Sequence, residues 1–328
     1  MPKLRKKPFS PIAITLADVR AAHKRIRRYI HETPVFSSST FDDLVGSKVY
    51  FKCENFQKIG AFKARGAHNA VFSLTAAEAA GGVVTHSSGN HAAALALAAR
   101  NRGIPAYIVM PSNAPKPKIA SVKRLGGKIT FCEPTLAARE TTCAMVKERT
   151  GARLIHPYND VRIIAGQGTA ALELLEEISG LDGIVVPVGG GGLLSGTAIA
   201  AKGMRRSLRV YGAEPKNADD ARRSFQADRL IPVTHTDTIA DGLRTSLGTV
   251  TFPIIQSHVD AIVTVSEEEI VAAMRFVWEV MKMIIEPSAA VPVAALMAGK
   301  LPNAGDKMGV ILSGGNVDLD LLPWGANR

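Results

Sequence analysis

Short apolar, β-branched runs recur along this chain, each separated from the next by a stretch long enough to hold one helix. VYF at 49–51, VVTH at 83–86, AYIVM at 106–110, KITF at 128–131, RLIH at 153–156, GIVVPV at 183–188, RVYGAE at 209–214, AIVTVS at 261–266 and MGVILS at 308–313 predict strands. Helical periodicity covers 16–30 and about 63–72, 90–99 and 168–178. Strands alternating with helices at this spacing imply βαβ crossovers, and therefore mostly parallel sheets with helices on both faces. Ligands of such sheets bind beyond the carboxyl ends of the strands, so the informative residues are the ones that follow each strand. They are SSGNH after VVTH, GGGGLLSG after GIVVPV, EPKNADD after RVYGA and SGGN after MGVI.

A chain of 328 residues suggests two domains, or one large α/β domain with a lobe inserted in it. Apolar residues at 46% and charged residues at 21% exclude disordered, collagen-like and coiled-coil classes. The net charge of +11 would suit nucleic acid, an anionic surface or anionic small molecules. Aromatics are only 5% and the basic residues are scattered, which leaves stacking platforms and a recognition helix unsupported, so no nucleic-acid partner is expected. Cys53, Cys132 and Cys143 are too few for a disulfide framework or a four-ligand zinc site, and point to a reducing, cytoplasmic compartment. The basic start MPKLRKK has no apolar run behind it and reads as a short tail rather than a secretory signal. The longest uncharged run, 183–201, is broken by six glycines, Pro187, Ser195 and Thr197, so no membrane span is expected.

Three clusters could carry chemistry. Gly189, Gly190, Gly191 and Gly192 follow an apolar strand and precede a helix; successive N–H groups unshielded by Cβ atoms, with a helix N-terminus behind them, suit a phosphate. A bare strand-to-helix turn would need the same glycines. No GxxxxGK[ST] is present; GxGxxG almost fits Gly190, Gly192 and Ser195, with Glu214 about twenty residues on, which keeps an NAD-dependent oxidoreductase as an alternative. KIGAFKARGA holds Lys58, Lys63 and Arg65; partial desolvation of Lys63 near positive neighbours would favour its neutral, nucleophilic amine, although lysines in first helical turns are commonplace. SSGNH, with Ser87, Ser88, Asn90 and His91 at a strand end opening a helix, suits a carboxylate or a ring oxygen and equally an ordinary N-cap.

KIGAFKARGA near residue 60, SSGNH some 25 residues later, GGGGL near 190 and SGGN near 313 occur together and in order. So do HPYND, AGQGT, GAEPKNADD, IADGLRTSLG and IEPSAA. In this the chain resembles the fold type II pyridoxal-phosphate-dependent serine/threonine dehydratase family, in its serine racemase and 3-hydroxyaspartate ammonia-lyase branch. The resemblance covers nearly the whole chain. It implies the tryptophan synthase beta-like α/β architecture of two open, twisted, mostly parallel sheets. A large cofactor-binding domain would comprise 1–75 plus 160–328, a small domain would comprise 76–159, and no C-terminal regulatory domain would follow.

By the same resemblance Lys63 bonds covalently to pyridoxal 5'-phosphate and Phe62 packs on its ring. Asn90 meets the ring oxygen, Gly189 to Gly192 cradle the phosphate and Ser313 meets the pyridine nitrogen. A neutral hydroxyl there makes the ring a weaker electron sink than an aspartate would, which favours elimination over transamination. Ser87, Ser88, Asn90 and His91 would hold the substrate carboxylate, with Gln167 or Gly168 lining the same pocket. The implied activity is β-elimination from β-hydroxy amino acids, giving a 2-oxo acid and ammonia, with serine, threonine and 3-hydroxyaspartate as substrates. Racemisation is the alternative, because the serine at Ser88 can protonate the opposite face of Cα. The sequence departs from the family at Ala93, where glutamine is expected, and this affects the substrate-side hydrogen bonds. Arg139, in CEPTLAARE, matches a position that can reach a distal carboxylate, a plain surface arginine being the other reading. Glu214, the carbonyl of Ala218 and Asp220 match a motif for Mg²⁺, Ca²⁺ or Mn²⁺, the other reading being an acidic helix start facing Arg222 and Arg223. The resemblance also favours a homodimer, and it assigns part of the positive charge to a cleft for anionic ligands.

Overall fold

In the computed structural model, which describes residues 14–234 and 236–324, the alternation resolves into ten strands among the described residues. The basic tail at 1–13 lies outside them. The first part of the chain contains α1 (Leu16–Ile26), β1 (Val35–Ser37), α2 (Ser39–Val45), β2 (Lys48–Cys53) and α3 (Lys63–Phe72). Then come α4 (Ala76–Ala79), β3 (Val83–His86), α5 (Asn90–Arg102), β4 (Ala106–Pro111), α6 (Lys116–Arg124), β5 (Lys128–Cys132), α7 (Leu136–Thr150) and β6 (Arg153–Leu154). The remainder runs through α8 (Val161–Glu177), β7 (Gly183–Pro187), α9 (Gly192–Met204), β8 (Arg209–Pro215), α10 (Asp220–Ala227) and α11 (Thr251–His258). It closes with β9 (Ala261–Val265), α12 (Glu267–Glu279), α13 (Pro287–Met297) and β10 (Lys307–Leu312).

Two sheets form. The larger has the order β1-β2-β10-β7-β8-β9 and the smaller the order β5-β4-β3-β6. Every pairing is parallel except β1 with β2, an antiparallel edge. That short edge strand was not predicted, because three residues carry no detectable period.

Strand β7 explains why the large sheet is covered twice. Ile184 and Val186 pack among residues of α8 and α9, whereas Val185 packs against α13. Both parities are apolar, so the strand reads as a continuous apolar run and not as an alternation. Full burial of each such side chain contributes roughly 1.5–3 kcal/mol.

Helix α8 begins at Val161, earlier than the predicted start at 168, because Asp160 caps it by accepting from the Arg162 N–H at 2.8 Å. Its glycines let it approach two neighbours closely. A Cβ at Gly166 would stand 2.6 Å from the Gly66 Cα, and one at Gly168 would stand 2.6 Å from the Gly196 carbonyl oxygen. Gln167 is fully buried, and its Oε1 accepts from the Gly66 N–H at 3.2 Å. The AGQGT stretch is therefore a helix-packing seam. The expectation that Gln167 or Gly168 lines the substrate pocket is corrected: both are committed to α3 and α9. Helix α1 likewise ends at Ile26 and not at 30.

Candidate active site

The C-terminal ends of β2, β7 and β10 of the large sheet and of β3 of the small sheet deliver the predicted residues to one cleft. Lys63 opens α3, and its Nζ donates to the Pro157 carbonyl at 2.9 Å, just beyond β6. Burial pushes its pKa down to about 8, against the opposing charge of Glu286. The positive neighbours expected from the sequence play no such part, because Arg65 is turned away into the core and paired with carboxylates. Phe62, the residue before, has its ring centroid 5.1 Å from the Lys63 Nζ, and its N–H donates to the Ser313 carbonyl at 3.0 Å. That bond joins the start of α3 to the end of β10, where Ser313 is buried.

Gly189 to Gly192 form the turn between β7 and α9. Gly191 has φ +84°, a conformation glycine adopts without strain, and it caps α9 with no side-chain bond. A Cβ at Gly190 would lie 2.3 Å from the Tyr158 ring, and one at Gly189 would lie 3.0 Å from the Leu243 Cα. At Gly190 only hydrogen fits and at Gly189 a side chain would be crowded, both at the uncapped N-terminus of a 13-residue helix. An anion is the natural guest. With a desolvated lysine, a flat aromatic and a hydroxyl on neighbouring strand ends, the donor set fits a phosphorylated aldehyde cofactor.

On the small sheet, Ser87, Ser88 and Asn90 are half-buried and His91 is buried. Helix α5 starts at Asn90, again without a side-chain cap. The Asn90 amide is engaged on both sides: Nδ2 donates to Glu286 Oε1 at 3.0 Å and Oε2 at 3.2 Å, and Oδ1 accepts from Asn316 Nδ2 at 2.9 Å. His91 Nε2 lies 3.2 Å from the Ile155 carbonyl while Nδ1 is buried without a partner. Its pKa falls to about 3, chiefly from burial and then from the charge of Lys63, so this ring is neutral. His86 and His156 lie alongside with pKa values also lowered by burial, His156 to about 4. The charge of Arg139, half-buried in the first turn of α7, is felt at His86. Ala93 lines a cavity of about 430 Å³ between the sheets, beside Asn90, Asn316 and the ion pair of Lys118 with Asp241.

Glu286 is a site residue that the sequence alone does not single out. Its signal was a lone acid in IEPSAA, immediately before the Pro287 that begins α13. Burial, and then the charge of Asp241, push its carboxyl up to about 7. Tyr158 was missed as well; its ring covers Gly190 and meets His156 edge-on at 4.6 Å.

Glu214, near the end of β8, and Asp220, the first residue of α10, are each 1% exposed. Glu214 accepts from the Ala221 and Arg222 N–H groups, and Asp220 from the Leu247 N–H. Arg223 pairs with Asp219 at 2.7 Å, and Arg222 donates to Thr264. Burial raises both carboxyl pKa values, that of Asp220 to about 7. Two buried carboxylates with backbone donors and no cationic side chain bonded to them, beside the buried Ala218, form a donor set that fits a hard divalent cation. Among the described residues no group of three or more His, Cys, Asp or Glu side chains converges as a metal cluster.

The model of the family described as "Pyridoxal-phosphate dependent enzyme" matches residues 26–314. A serine racemase from Arabidopsis thaliana is 53% identical over 315 residues, covering 94% of this chain and 95% of that protein. A beta-hydroxyaspartate dehydratase from Paracoccus denitrificans is 50% identical over 310 residues, covering 94% and 98%. The solved structure of maize serine racemase superposes with a TM-score of 0.92 at 48% identity, covering 94% of this chain and 95% of that one.

Proposed function

Because the chain belongs to the family of pyridoxal-phosphate dependent enzymes, we propose that it eliminates water from β-hydroxy amino acids and that hydrolysis of the resulting enamine, which takes one water back, releases ammonia and a 2-oxo acid. The observation that carries this reading is the convergence around Lys63: its amine bonds Pro157 one residue before the Tyr158 that covers Gly190, its neighbour Phe62 bonds Ser313, and its charge is felt at His91 of SSGNH. The family match removes the NAD-dependent alternative. When bound, pyridoxal phosphate supplies a sink for the charge that develops at the substrate Cα.

The residues divide the remaining work. Gly189, Gly190, Gly191 and Gly192 would hold the phosphate, Phe62 would pack on the ring, and Ser313 and Asn90 would meet its nitrogen and oxygen. Lys63 Nζ would carry the link to the cofactor and, once displaced, take the Cα proton; an amine titrating near 8 is matched to that task at neutral pH. Ser87, Ser88, Asn90 and His91 would receive the substrate carboxylate at the α5 N-terminus, where the helix dipole favours an anion.

Substrate choice would depend on Arg139, whose guanidinium is the group suited to a second carboxylate. The 50% identical beta-hydroxyaspartate dehydratase supports 3-hydroxyaspartate as a substrate beside serine and threonine. Racemisation is the second reading, supported by the 53% identical serine racemase and by Ser88, which would deliver a proton to the face opposite Lys63.

A panel of serine, threonine and the 3-hydroxyaspartate isomers, scored for both 2-oxo acid release and inversion at Cα, tests these assignments. The expected result is elimination throughout, with inversion lost in Ser88→Ala while elimination persists. Arg139→Ala should lower kcat/KM for the dicarboxylate by roughly 10-fold to 100-fold and leave serine within about twofold. No 2-oxo acid from any member would overturn the lyase reading, and an unchanged dicarboxylate preference would remove Arg139 from it.

Glu214, the Ala218 carbonyl and Asp220 would hold Mg²⁺, Ca²⁺ or Mn²⁺, completed by water. The small lobe, 76–159, carries β3 to β6, and the large lobe, 1–75 plus 160–328, carries the other six strands, a division that supports those boundaries. A cytoplasmic homodimer completes the reading. Among the described residues no helix is long and apolar enough to cross a membrane.

A further inference from the structure

Arg65 lies two residues beyond Lys63 on α3 and is fully buried. Its guanidinium is held by two carboxylates in two parallel forks. Nε and Nη2 donate to Glu54 at 2.7 and 2.8 Å, while Nη1 and Nη2 donate to Glu173 at 2.6 and 2.7 Å. Nη1 also donates to Thr169 Oγ1 at 3.1 Å. Lys52, equally buried, bonds Glu173 at 2.8 Å and the Thr33 carbonyl at 2.6 Å, and Thr33 Oγ1 donates to Glu54 at 2.6 Å. The two cations and two carboxylates thus come from β2, the turn after it, α3 and α8.

Burying four charges is costly, and apolar residues of the same volume often give equal or greater stability. What apolar residues cannot supply is direction. A planar guanidinium clamped by two carboxylates fixes both the rotation of α3 about its axis and its position along that axis. Successive helical residues are turned by about 100°, so residues two apart point about 200° from one another. Anchoring Arg65 inward therefore aims Lys63 outward, into the cleft.

We infer that Arg65 is a positioning residue for Lys63, with Glu54 and Glu173 as its fixed points. This rests on the assignment of Lys63 as the cofactor-bearing lysine. Glu54 follows β2 and Glu173 lies on α8, so loss of either fork to Arg65 is transmitted to the first turn of α3. Lys52 shares Glu173 but makes no bond to α3, and both forks to Arg65 are formed without it, so it serves as the internal control.

The test uses the cofactor-loaded protein and its Arg65→Lys, Glu54→Gln and Lys52→Met variants. Four quantities are measured: cofactor content, melting temperature, the pH midpoint of the cofactor's visible band, and kcat with KM. Arg65→Lys and Glu54→Gln should move the band's midpoint by at least about half a unit and lower kcat by roughly 10-fold to 100-fold, with KM within about threefold, as a displacement near 1 Å would do. Lys52→Met should lower the melting temperature and leave midpoint and kcat at parent values. Glu54→Gln, which keeps the arginine and an isosteric partner, gives the answer if Arg65→Lys does not load cofactor. Parental midpoint and kcat in the loaded Glu54→Gln and Arg65→Lys proteins would overturn the inference. So would a Lys52→Met protein whose midpoint and kcat shift as far as theirs. A parent protein with no visible band that borohydride abolishes would instead defeat the assignment of Lys63 itself.

Discussion

The Lys63 ammonium donates to the Pro157 carbonyl at 2.9 Å, a bond that ties the first residue of α3 to the segment leaving the small sheet. The amine is thereby held where the two sheets meet and half out of water. It has one carbonyl partner, and burial lowers its pKa to about 8.

The rate at which the cofactor-free protein takes up pyridoxal phosphate should therefore rise with pH and level off above about 8, because only the neutral amine attacks an aldehyde. Stopped-flow absorbance across pH 6 to 10 reads this directly. A midpoint near the ordinary lysine value, about 10.4, would mean that the amine is fully solvated. Glu286→Gln should move the midpoint downward, since the Glu286 charge opposes the effect of burial.

Gly190→Ala should abolish tight cofactor binding while the chain still folds. The added methyl would sit 2.3 Å from the Tyr158 ring, so either the turn or the ring must move, and the N–H groups of the turn would lose their convergence. Spectrophotometric titration should give at least roughly 10-fold weaker binding of pyridoxal phosphate, on the scale of one lost charge-assisted hydrogen bond. Gly46→Ala, at a turn with φ +71° and no neighbour within 4 Å of the added atom, tests strain of a glycine turn away from the site and should leave cofactor affinity unchanged.

The buried pair Glu214 and Asp220 predicts an unusual pH dependence of stability. Both folded-state pKa values are raised, so the protonated carboxyls favour the fold at low pH. For Asp220 that contribution is lost as pH rises from about 4, its ordinary range, through about 7. A divalent cation reverses the sense, because it binds only the carboxylates. Mg²⁺ should raise the melting temperature by several degrees at pH 8 and by much less at pH 5. Calorimetry with and without chelator checks both arms. Equal shifts at the two pH values, or none, would remove the cation from Glu214 and Asp220.

These sites were legible to different degrees, for physical reasons. The β7 run and the glycines after it are local signals: a buried parallel strand must be apolar throughout, and a close turn must lack Cβ atoms. Both fell where the sequence predicted. The role of Lys63 was not legible from its neighbours alone. Its pKa depends on burial created by segments near residues 157 and 286, and the nearby Arg65, which looked like a positive neighbour, is neutralised by Glu54 and Glu173. Resemblance alone brings Gln167 or Gly168 of AGQGT to the substrate pocket; close approach to a ligand and close approach of helices require the same small residues, and only the positions of Gly66 and Gly196 separate the two. Glu286 and Asn316, which hold Asn90 across the cleft, are 196 and 226 residues from it in the chain, beyond the reach of any periodicity.

The most direct test of the account is borohydride reduction of the cofactor-loaded protein followed by peptide mapping. The account predicts that the visible band disappears and that one pyridoxyl group is fixed on Lys63, with Lys63→Ala carrying no label and losing elimination by at least roughly 10³-fold. A label on another lysine such as Lys58, or a Lys63→Ala protein that still releases 2-oxo acid at the parental rate, would contradict it.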